Sequence, residues 1–180
     1  VPPHAQVTHT GRSAASAPPA AAGPCSGGGL LPTEADLEAV RAAALCLVNR
    51  ERAANGAGAL TLNEDLDRAA REHSESMAAG GYFEHTAPGG DGFLRRLQDF
   101  GYLTSTRVLY NVGENIAWGS LQDATPASVV AAWMASPGHR ANMLNPEFRD
   151  IGIGIVPRLP SSLGAGASGA MYTEDFGVVL

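Results

Sequence analysis

A chain of 180 residues with 12 basic and 18 acidic side chains, net charge −6, has room for one domain with a real core and a short extension. Charged residues make up only 17 %, and the tightest basic pair, Arg95-Arg96, shares its helix with Asp99. Phosphate and anionic-lipid binding need clustered cations, which excludes nucleic acid and anionic membrane surfaces as main partners. No apolar run reaches the roughly 20 residues of a transmembrane helix.

Residues 1–32 contain Ala14-Ala-Ser-Ala-Pro-Pro-Ala-Ala-Ala-Gly-Pro24 and Ser26-Gly-Gly-Gly29, too little apolar surface to offset ordering entropy. They read as a disordered tail or spacer, in which His4 and His9 are solvated. One domain is expected over 33–180. A start at Val1, without a charged and then apolar leader, fits a mature secreted chain or an excised piece. Cys25 and Cys46 would be free thiols in a cytosolic protein and one disulfide in a secreted one.

Thr33-Glu-Ala-Asp36 reads as a capping-box variant opening a helix whose face is Leu37, Val40, Ala44, Leu47 and Val48, ended by Asn55-Gly56. Asn63 caps a second helix striped by Leu66, Ala70, His73 and Met77 and stopped by Gly80-Gly81. His73 on that apolar face reads as a satisfied core histidine. After a loop over 82–92, a third helix starts at Phe93, capped by Asp91, and ends at Gly101. Tyr110 to Trp118 is a short extended stretch interrupted by glycine. Thr125-Pro126 opens a fourth helix facing inward with Val129, Val130 and Trp133.

Ser136-Pro-Gly-His139 then starts a short fifth helix, with Ser136 as N-cap and Asn145-Pro146 as its stop. The positive end of the helix dipole keeps His139 neutral near pH 7, the form that binds metals or accepts protons. Ile151-Gly-Ile-Gly-Ile155 is a period-two strand whose glycine face needs a helix or backbone close against it. Tyr172 to Val179 forms the last strand, pairing with it as an antiparallel hairpin across the small-residue connection 157–169. Met171, Tyr172 and Phe176 read as strand packing, and Trp118 as core or ligand surface. The class is α+β.

The ordered pieces Val48-Asn-Arg50, Ala70-Arg-Glu-His-Ser74, Tyr82-Phe-Glu-His85, Gly113-Glu-Asn-Ile116, Ala132-Trp-Met-Ala-Ser-Pro-Gly-His-Arg-Ala-Asn-Met-Leu144 and Ile151-Gly-Ile-Gly-Ile155 resemble the CAP superfamily of cysteine-rich secretory, antigen 5 and pathogenesis-related proteins. The likeness runs from about Leu37 to the C-terminus and is nearest to bacterial SCP-like extracellular members. It implies a CAP-type α-β-α sandwich, secretion, and a cavity where His85 and His139 hold a divalent metal such as Zn2+ beside Glu114. Larger relatives place a second glutamate three residues after the helix tryptophan. Here Ser136 stands there, and Asp150, Glu174 and Asp175 are the acids that could supply its charge.

Three functions follow from that resemblance. The first is a monomeric extracellular binding or signalling module at the cell envelope, recognising a lipid, glycan or protein. The second is a zinc-dependent hydrolase of peptide, cell-wall or phosphoester bonds, with Glu114 as the catalytic general base. The third is a structural module, in which His85, Glu114 and His139 only satisfy buried hydrogen bonds. No nucleophile elbow, phosphate loop or His-Glu-x-x-His pair stands in the chain, Ser136 reads as spent on capping, and both cysteines read as occupied with each other.

Overall fold

The computed structural model describes residues 23–90, 92–104, 109–164 and 168–180. The expectations for residues 1–22 and for a cap from Asp91 lie outside them. Five helices and a short sixth flank four strands: α1 (Leu37–Ala54), β1 (Thr61–Leu62), α2 (Glu64–Gly80), α3 (Phe93–Asp99), β2 (Tyr110–Ser120), α4 (Pro126–Ala135), α5 (Pro137–Leu144), β3 (Asp150–Val156), α6 (Ser161–Gly164) and β4 (Gly169–Val179). The sheet order is β1-β3-β4-β2, parallel between β1 and β3 and antiparallel elsewhere. This is an α+β sandwich of the CAP type, with α1, α4 and α5 on one face of the sheet and α2 and α3 on the other.

The glycine face of β3 receives α2. A Cβ on Gly152 or Gly154 would lie 2.1 or 2.2 Å from the backbone carbons of Leu66 and Ala70, so only glycine lets the helix settle this close. Ser74 Oγ reaches the Gly154 carbonyl at 3.1 Å across the same contact. Asn63 caps α2 as expected, accepting from the Asp65 and Leu66 amides. On the opposite face, Val40, Leu47, Val48, Trp133, Met143, Phe148, Tyr172 and Phe176 form the main core. Each fully buried large side chain contributes about 1.5–3 kcal/mol.

β3 and β4 form the expected hairpin, yet β4 also pairs along its whole length with β2, an 11-residue strand rather than a short extended stretch. The glycines that interrupt its pattern mark close approaches instead of breaks. Asn142 and Phe148 press on Gly113, and the Asp123 backbone presses on Gly119.

Two caps differ from expectation. Asp36 stands at the N-cap of α1 but accepts the Thr33 hydroxyl at 2.7 Å rather than a helix amide. Ser136 stands at the N-cap of α5 with Pro137 next, but its hydroxyl makes no cap bond. In α3 the N-cap is Gly92.

Cys25 and Cys46 are disulfide-bonded, pinning the chain ahead of α1 to that helix. The Gly28 carbonyl accepts the Ala127 amide at 2.9 Å and Pro32 is buried, so the end of the segment expected as a spacer packs on the domain.

Candidate functional site

Glu114 is the centre of the site. It sits on β2, its side chain only 3 % exposed, facing the α2 side of the sheet. Its Oε1 meets His85 Nδ1 at 2.8 Å, and its Oε2 accepts from Arg96 Nη2. Burial pushes the Glu114 carboxyl up, and the His85 hydrogen bond with the Arg96 charge outweighs it, leaving the group below its ordinary value and ionised. His85 is raised in turn, chiefly by that hydrogen bond. Its side chain is 54 % exposed, so this histidine stands at the rim with Nδ1 engaged by the carboxylate.

His139 comes from the first turn of α5. That helix is hung on the edge strand by an amide pair: Asn142 Nδ2 donates to the Glu114 carbonyl (3.2 Å) and to Asn115 Oδ1 (2.9 Å), while Asn115 Nδ2 donates to the His139 carbonyl (3.1 Å). Burial lowers His139, and the His85 charge lowers it further. Both causes favour the neutral form of His139. Among the described residues, no group of three or more His, Cys, Asp or Glu side chains is arranged to hold a metal ion.

Three further residues belong to this cluster: Arg96, His73 and Asp175, the last of them one of the acids named from the sequence. Arg96, noted in the sequence only as half of the tightest basic pair, is buried against Glu114 and lies over the Phe93 ring. His73 is buried as expected, but it is not fully satisfied. Its Nε2 has no hydrogen-bond partner and stops 4.0 Å from Glu114 Oε2, which Arg96 already occupies. Burial pushes His73 down to about 4, keeping it neutral. Asp175 on β4 stands directly opposite Glu114 in the ladder and is fully buried. A cavity of about 250 Å3 lies against His73 and Arg96, bounded also by Glu72, Ser76 and Phe100.

The other candidate acids are elsewhere. Asp150 accepts the Tyr102 hydroxyl at 2.9 Å. Glu174, one residue from Asp175, projects to the opposite face of β4, level with Asn115 and Ile153. Ser136 is partly buried between α4 and α5. What the sequence left open was which member of the adjacent pair Glu174-Asp175 turns toward Glu114. One of two such neighbours must face each side.

The profile of the cysteine-rich secretory protein family, CAP, matches residues 45–158. The uncharacterized protein YkwD of Bacillus subtilis is 38 % identical over 130 residues, which are 72 % of this chain and 44 % of that protein. The uncharacterized membrane protein YlbC of the same organism is 31 % identical over 111 residues, 62 % of this chain and 30 % of that one. The chain thus spans less than half the length of these two relatives. An extracellular protein containing an SCP domain from Bacillus anthracis aligns with TM-score 0.58 at 23 % identity, over 77 % of this chain and 42 % of that one. An outer surface protein of Borrelia burgdorferi aligns with TM-score 0.61 at 18 % identity, over 82 % and 95 %. Both likenesses show the fold. Helices packed on both faces of the β1-β3-β4-β2 sheet, together with a family match across most of the chain, make this protein a member of the CAP family.

Proposed function

We propose that this protein is an extracellular binding module of the cell envelope whose cavity takes a divalent cation, zinc by the chemistry of its donors, on the imidazoles of His85 and His139. The observation that carries this reading is the 2.8 Å contact between His85 Nδ1 and Glu114 Oε1. A carboxylate there fixes the tautomer with hydrogen on Nδ1 and leaves the Nε2 lone pair free, as carboxylate partners do for metal-binding histidines. His139, held neutral, supplies the second lone pair. A bound zinc ion would supply Lewis-acid polarisation of a water or ligand oxygen.

The donor set fits a weakly held cation. Arg96 neutralises Glu114, so a cation on the two imidazoles would meet little net negative charge. The same pairing favours binding over hydrolysis: both Glu114 oxygens are already engaged, which suits a group that orients His85 better than a general base. Secretion is supported by the disulfide and by the similar proteins described as extracellular or outer-surface. No helix among the described residues is long and apolar enough to cross a membrane. The module's larger ligand is a lipid, glycan or protein of the envelope.

Calorimetric titration of zinc into the metal-free chain at pH 7.5 tests the metal reading, with the folded His85→Ala/His139→Ala variant beside it. One-site binding lost in the variant supports it. Equal binding in both, or none in either, makes the histidines structural.

A further inference from the structure

We propose that Asp175 is the second acid of the cavity and serves it as a proton donor, its carboxylic acid hydrogen-bonding Glu114 across the β2–β4 ladder. Glu114 would then be held from three sides, by Arg96, His85 and Asp175. The proposal deepens the reading of Glu114 as the group that positions His85, though its test uses no metal.

Directly opposed residues of an antiparallel pair place their Cβ atoms about 5 Å apart on one face. Glu114 and Asp175 are such a pair, both buried and projecting from the same face of the sheet. Neither Asp175 oxygen receives a hydrogen bond from a donor among the described residues. Two carboxyl groups at that distance can bond only if one keeps its proton. Glu114 has two donors, Arg96 and His85, holding it ionised, so the proton belongs on Asp175.

The groups facing Asp175 agree. Glu114 comes from β2 and Arg96 from α3, the two charged groups that act on it, while His73 and His85 meet Glu114 rather than Asp175. On the β3 side its partner is Gly152, which brings no charge, and α2 backbone lies over that glycine. Of these, Arg96 is the one permanent cation, and it is paired with Glu114. Burial raises Asp175 well above the usual carboxylate range, and the Glu114 charge raises it further against the opposing pull of Arg96. Asp175 therefore brings a proton to the site and not the missing negative charge.

The experiment is infrared difference spectroscopy on the full chain at pH 7. It is run in a Glu174→Gln background, because Glu174 is a second buried acid. The parent minus Glu174→Gln/Asp175→Asn spectrum should contain one protonated-carboxyl C=O band that shifts in heavy water. A carboxylate band in its place overturns the proposal.

Donation to Glu114 is read separately, from the persistence of the His85 Nδ1 proton signal by NMR at pH 8. It should survive in Asp175→Asn, whose amide still donates, and exchange at least tenfold faster in Asp175→Leu. Equal exchange in both variants also overturns the proposal. If Asp175→Leu does not fold, the infrared arm still decides. A positive infrared result with no zinc binding would leave this proposal standing and sink the metal reading. The reverse pattern would do the opposite.

Discussion

Arg52 links the fold to the site, and replacing it with methionine is the most informative single change. The side chain is fully buried and has no acid partner among the described residues. Its guanidinium donates to the carbonyls of Gly58 (2.6 Å), Met143 (2.7 Å) and Asn145 (3.1 Å), with a longer contact to Phe148 (3.4 Å). Methionine fills similar space but leaves those buried carbonyls without a donor, at about 1–3 kcal/mol for each one lost. Three good bonds would sum to about 3–9 kcal/mol, comparable with the whole stability of a domain. Relief from desolvating a lone cation, together with partial relaxation, brings the expected loss to about 3–5 kcal/mol. Met143 lies in α5 and Asn145 caps its end, so the helix bearing His139 should loosen with it. Urea unfolding at pH 7 measures the stability, and zinc titration of the folded fraction measures the second effect. A loss under about 1 kcal/mol would refute the reasoning that this fork of hydrogen bonds clamps α5 to α1.

Three further outcomes are expected. Glu174 is buried without a partner and raised well above its ordinary value by burial. The folded state therefore binds a proton that the unfolded state gives up, and stability falls by about 1.4 kcal/mol per pH unit from the unfolded carboxyl range up to the folded value. Glu174→Gln should flatten that fall and raise the urea midpoint at pH 8. An unchanged pH profile would show the acid to be ionised. Gly154→Ala should cost at least about 3 kcal/mol, because its methyl would collide with the Ala70 backbone and not with a movable side chain. Circular dichroism melts check it, and a wild-type melting temperature would contradict the close packing of α2. Reducing the Cys25–Cys46 bond should destabilise by roughly 3 kcal/mol, since it closes a loop of 21-residue separation. Denaturation with and without reductant reads this directly, and identical curves would contradict it.

The periodicity of α1, α2 and α4 was legible because each buries one stripe of apolar residues, and the Gly152-Ile-Gly154 alternation announced a close helix. What local pattern concealed were the contacts between distant residues. Nothing near Gly113 or Gly119 says that they accommodate side chains and backbone from elsewhere, so β2 looked broken. Arg52 and Arg96 look like surface cations until the fold delivers carbonyls to one and a carboxylate to the other. His73 and Asp175 join the site through helix packing and strand register, which no spacing within a single segment encodes. His85, Glu114 and His139 stood out through the family resemblance of their short motifs. Sequence separation alone gave no sign that His85 touches Glu114.

The central claim is that Glu114 holds His85 with Nδ1 protonated and Nε2 free for a cation. Nitrogen-15 NMR of the labelled imidazoles at pH 8, before and after adding zinc, tests it most directly. His85 is raised by its hydrogen bond to Glu114, so pH 8 favours its neutral form more than neutral pH does. The account predicts hydrogen on His85 Nδ1, loss of that preference in Glu114→Gln, and zinc-induced shifts at His85 Nε2 and at His139. An Nε2-protonated His85, or zinc that leaves both rings unchanged, would contradict it.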